Sequence, residues 1–87
     1  MKKRVKDIRE ILRFLSSEHS EADFIGYLPS ELGRWDGWHI CVSDYNVYTS
    51  EDFKLSLEAI RTKFDDLKMI AVFLNPSKVG KGIKVAP

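Results

Sequence analysis

Met69-Ile70-Ala71-Val72-Phe73-Leu74 is an unbroken run of six apolar residues. An apolar stretch of that length without alternation marks a strand covered on both faces, and such a strand needs neighbours. The sequence upstream supplies them. Trp38-His39-Ile40-Cys41-Val42 reads as a strand, and Phe53, Leu57, Ile60 and Phe64 recur at spacings of four, three and four, with Leu55 and Ala59 beside the stripe. Thr49-Ser50-Glu51-Asp52 opens that helix, because a hydroxyl caps free backbone N–H groups while the two carboxylates suit the positive end of the helix dipole. Strand 38–43, helix 50–65 and strand 68–74 therefore make a βαβ unit, whose strands are parallel and whose crossover is expected to be right-handed.

The remainder of the chain is fitted around this unit. Val5, Ile8, Ile11, Leu12 and Leu15 predict an amphipathic helix over 3–17, with His19 near its negative end. Asp23 to Leu28 reads as a strand limited by Gly26 and Pro29. Trp35-Asp36-Gly37-Trp38 predicts a two-residue hairpin turn with the tryptophans as a cross-strand pair. Ser43-Asp44-Tyr45-Asn46 is a polar break, and Val47-Tyr48-Thr49 a short extended piece. After Asn75-Pro76-Ser77 and the bend allowed by Gly80 and Gly82, Ile83-Lys84-Val85 alternates like an edge strand turning back antiparallel. The predicted fold is an α+β two-layer sandwich in a single domain, 1–87. It has a mixed sheet of about four strands (hairpin, βαβ unit, C-terminal hairpin) and two helices on one face.

Ten aromatic residues and a net charge of +1 argue against disorder. No apolar run approaches the roughly 20 residues of a membrane span, and MKKRVKDIRE lacks the apolar stretch of an export signal. The single cysteine, Cys41, suits a reducing compartment, so the expected location is cytoplasmic and no membrane partner is expected. Charge is zoned: +4 over residues 1–13, −7 over 14–52 and +4 over 53–87. Such zoning bears on partner choice more than on fold.

Three groups of residues are candidates for function. Asp44, with Ser43, Tyr45 and Asn46 at a strand end beside the crossover, is the candidate metal ligand, although Asp and Asn there are also ordinary turn formers. Lys2, Lys3, Arg4 and Arg9, with the Lys/Gly hairpin carrying Ser77, Lys78, Lys81 and Lys84, make a candidate nucleic-acid or anion site; lysines on an edge strand equally blunt aggregation. Trp35, Asp36, Trp38, Tyr45 and Tyr48 form an aromatic stretch inside the acidic zone, which suits a protein partner better than nucleic acid. His19 and His39 lack ligand spacing, and Cys41 reads as a small buried hydrophobe.

Asp44-Tyr45-Asn46 after Ile40-Cys41-Val42, then Asn75-Pro76-Ser77 with Gly80-Lys81-Gly82-Ile83-Lys84, resembles the catalytic core of archaeo-eukaryotic-type primases, nearest the plasmid and phage primase-polymerase branch. The resemblance covers about residues 38–86. It implies divalent metal at the acidic pair and nucleotide phosphates at the Ser/Gly/Lys hairpin. Asn46 stands where the second carboxylate would be, Lys78 and Val79 interrupt the hairpin motif, and the chain reaches Pro87 without a further acidic ligand. What the resemblance implies is a degenerate relative that binds without catalysing.

The expected function is a small non-catalytic interaction protein, of a kind encoded by phages or other mobile elements, that binds and inhibits or regulates a larger protein or nucleoprotein. The alternatives are a nucleic-acid-binding module and a metal-dependent phosphotransfer remnant. No cofactor is expected, with magnesium relevant only to the last.

Overall fold

The computed structural model describes residues 3–28, 37–68 and 83–84. Along the chain the elements are α1 (Ile8–Glu18), β1 (Phe24–Tyr27), β2 (Trp38–Val42), α2 (Tyr45–Tyr48), α3 (Glu51–Arg61), β3 (Leu67–Lys68) and β4 (Ile83–Lys84). Helices and a mixed sheet give the α+β class that the periodicities predict.

The first helix starts later than its apolar stripe suggests. Asp7 has extended backbone and its carboxylate accepts from the Arg9 N–H, so the helix begins at Ile8 rather than near Lys3. An aspartate satisfies an otherwise orphaned N–H at this position, which competes with continuing the helix backwards. Lys3 instead forms a parallel bridge with Phe64: its N–H donates to the Lys63 carbonyl at 3.0 Å, and its own carbonyl accepts from Asp65 at 2.8 Å. Val5 packs on the core from this extended segment, and its N–H donates to Asp66 Oδ1 at 2.8 Å.

The sheet order is β3-β2-β1-β4. β1 and β2 are antiparallel, with Phe24 opposite Val42 and Tyr27 opposite His39. β2 and β3 are parallel, with Trp38 opposite Leu67. The βαβ unit is therefore present as β2–α3–β3. Two details differ from the expected hairpins. Because Tyr27 faces His39, the β1–β2 connection spans 28–37 and is longer than a two-residue turn; Trp35 and Asp36 lie outside the described residues. β4 pairs antiparallel with β1, at the opposite edge from β3, so the last strand does not form a hairpin with the strand that begins at Leu67. Met69–Leu74 and Asn75–Gly82 also lie outside the described residues.

Alternation along β1 and β2 divides the core. Phe24, Ile40 and Val42 join Ile8, Ile11, Leu12 and Leu15 of α1 and Phe53 and Ile60 of α3 in one buried cluster, which puts both helices on the same face. Ile25, Tyr27 and Cys41 form a second buried cluster on the other face. Gly26 points towards α1: a Cβ there would come within 2.9 Å of Ile8 Cγ1, so the missing side chain sets how closely helix and strand approach. Gly37 has φ +90°, and a Cβ on it would collide with the Asp66 backbone carbonyl that accepts from the Trp38 N–H at 2.8 Å.

Between β2 and α3 the chain is helical, not extended. Asp44 caps α2 by accepting from the Val47 N–H at 3.0 Å. Ser50 caps α3 by accepting from Phe53 at 3.1 Å. α3 stops at Arg61, short of the predicted 65, because Phe64 and Asp65 turn away to bridge Lys3. Leu55, which lies beside the predicted stripe, faces outwards and is 67% exposed.

Candidate functional site

The polar cluster at the end of β2 is committed to local structure. Asp44 caps α2, and Ser43 Oγ accepts from the Asp23 N–H at 2.9 Å, which ties the start of β1 to the end of β2. Tyr45 and Asn46 are exposed. Among the described residues no group of three or more His, Cys, Asp or Glu side chains converges as a metal site would require.

Of the basic candidates, Arg9 forks onto Asp7, with Nε to Oδ1 at 3.1 Å and Nη2 to Oδ2 at 3.3 Å. These bonds and the guanidinium charge hold the Asp7 carboxyl below its usual value and raise the Arg9 pKa. Arg4 lies 3.6 Å from Asp66. Lys3 is exposed and has no ion pair among the described residues. Lys2, Ser77, Lys78 and Lys81 lie outside the described residues, as does the side chain of Lys84, whose backbone pairs opposite Ile25.

The aromatic candidates separate by environment. Trp38 is half-buried against the main core. Tyr45 and Tyr48 project from α2, three residues apart and so on one side of the helix, with ring centroids at 6.3 Å. His19 ends α1 and is buried, its ring edge-on to Phe53 at 5.6 Å and its Nε2 3.2 Å from Ser56 Oγ. Burial raises the Cys41 thiol to about 11, which keeps it protonated and a poor nucleophile.

An apolar opening lies elsewhere, between α1 and α3. Ile11, Phe14, Ala59, Ile60 and Phe64 line a hollow of about 260 Å³ with Glu10 and Lys63 at its margin. It continues into a wider hollow of about 620 Å³ bounded by Lys3, Arg4, Val5, Lys6 and Asp7, sharing Glu10, Ile11 and Phe64. Phe14 is 42% exposed, whereas Ile8, Ile11, Leu12 and Leu15 on the same helix are buried. Its one sequence signal is an apolar residue standing outside the α1 stripe, at a place where Glu or Lys would serve solubility.

No family model, curated protein or solved structure matches this chain. The floor of the groove consists of aliphatic and aromatic side chains, and its margin of Lys3, Arg4, Lys6 and Lys63 with the carboxylates of Asp7 and Glu10. An apolar floor with a charged margin is the anatomy of a binding surface.

Proposed function

We propose that this chain is a small non-catalytic interaction protein that docks on a larger protein or nucleoprotein and regulates or inhibits it. The supporting observation is the open groove between α1 and α3, with Phe14 held at 42% exposure over a floor of Ile11, Ile60 and Phe64. A small domain gains stability by covering such residues, and an uncovered apolar patch beside charged side chains is characteristic of association surfaces. The test is a photo-crosslinking amino acid introduced at position 14 in cells, with position 55 on the outer face of α3 as the control. A discrete adduct at 14, weaker at 55, supports the reading. Adducts of equal intensity at both positions, or none at 14, overturn it.

A nucleic-acid-binding module is the second reading, favoured by Lys3 and Lys63 meeting where the Lys3 N–H donates to the Lys63 carbonyl at 3.0 Å. Phosphate neutralisation makes such binding steeply dependent on salt, so labelled oligonucleotides should lose affinity by an order of magnitude or more between about 50 and 200 mM salt. Equal weak signals at both concentrations remove it.

A further inference from the structure

The charges around the groove are not balanced. Asp7 is occupied by Arg9 at 3.1 Å and Arg4 by Asp66 at 3.6 Å. Lys3, Lys6 and Lys63 have no ion pair among the described residues, and Glu10 is the remaining carboxylate at the margin. Lys3 and Lys6 thus line the end nearer the N-terminal segment, while Lys63 borders the apolar end with Phe14 and Ala59. Asp7 to Phe14 is about two helical turns, so the long axis of the groove is roughly 10 Å.

The lining also restricts the form of an occupant. Side chains of α1 and α3 together with Phe64 make the floor, so an occupant is held there by side-chain packing rather than by backbone pairing. The apolar part, about 260 Å³, falls below the roughly 300–1,000 Å³ of pockets that enclose most of a drug-sized molecule. A helix lying along the groove needs no enclosure: two apolar side chains one turn apart reach the floor while its flanks remain at the margin.

We infer that the groove takes an acidic amphipathic helix of a partner protein. Its apolar anchors seat against Phe14, Ile60 and Phe64, and its carboxylates face Lys3, Lys6 and Lys63. This rests on the docking reading above and specifies the partner's chemistry. Charge complementarity at the margin sets orientation and speeds encounter, while the apolar floor holds the complex together.

The test uses the full chain and two synthetic helical peptides with the same leucine face, one flanked by glutamates and the other by lysines, titrated by fluorescence anisotropy. The glutamate peptide should bind about tenfold more tightly than the lysine peptide, and this preference should shrink as salt rises. Phe14→Asp should weaken it about tenfold, and Lys3→Glu combined with Lys63→Glu should reverse the preference, while Leu55→Asp changes neither. Circular dichroism and thermal melting identify any variant that fails to fold; because Leu55, Lys3 and Lys63 are exposed, the charge-reversal comparison stands even if Phe14→Asp unfolds. Equal affinity for the two peptides, binding of neither, or displacement of the glutamate peptide by an oligonucleotide without regard to the Phe14 substitution overturns the inference. An adduct at position 14 in cells combined with any of these results leaves the docking reading standing and rejects the acidic helix. Absence of an adduct rejects the docking reading itself.

Discussion

Single residues show where packing rather than chemistry decides identity. Cys41 was readable as a small hydrophobe from its place between Ile40 and Val42, and burial raises its thiol from the usual 9.0 to about 11. Between those values the unfolded chain ionises and the folded chain does not. The Cys41 contribution to stability should therefore be constant below pH 9, fall as pH rises to about 11, and level off above. Urea midpoints across that range check this, and a Cys41→Ala variant should lack the component. In the native protein the thiol should also alkylate slowly at pH 8 and react at the rate of a free thiol once denatured. Gly26 and Gly37 are sensitive for different reasons. Gly26→Val must push against Ile8 and should cost about 1–3 kcal/mol by denaturant titration. Gly37→Ala adds a positive-φ penalty to a backbone collision and should also lower the thermal midpoint, an effect that glycine's place in the Asp-Gly pair made partly foreseeable.

Elements were most legible where one residue pattern has one explanation. The stripe of Ile8, Ile11, Leu12 and Leu15 is buried as its spacing predicts, and Ser50 caps α3 as its position suggests. Boundaries were harder to read because they depend on competing local bonds. Asp7 ends the backward growth of α1, and Asp44 turns Tyr45–Tyr48 into a helical turn even though Val47 favours extended backbone. The same aspartate separates the interaction reading from a metal-dependent one. If Asp44 serves as a cap, Asp44→Ala should cost about 0.5–2 kcal/mol, Asp44→Ser should recover most of it, and added magnesium should not change the melting temperature of the parent protein. Magnesium-dependent stabilisation lost in both variants would revive the primase-like expectation. The groove, by contrast, could not be read from either helix alone. Phe14 belongs to one element and Ala59 and Ile60 to the other, and the two helices meet through the core that each shares with Phe24, Ile40 and Val42.

At the scale of the whole molecule, parallel β2 and β3 hold the second half together, and the N-terminal segment closes on it through Lys3, Val5 and Asp66. Asp66 accepts the Val5 N–H at 2.8 Å in a partly buried setting, and its contact with the exposed Arg4 adds little. Asp66→Ala should therefore cost about 1–3 kcal/mol in urea unfolding, whereas Arg4→Ala should change stability by about 0.5 kcal/mol or less. This closure joins positions 61 residues apart. During synthesis on the ribosome α1 emerges early, yet the contacts that pin its leading segment must wait until residue 66 has left the exit tunnel. A fragment released before that point would lack the Asp66 contacts that hold the N-terminal segment and part of the shared core around α1, so premature termination in the second half should yield aggregation-prone products rather than partly working ones.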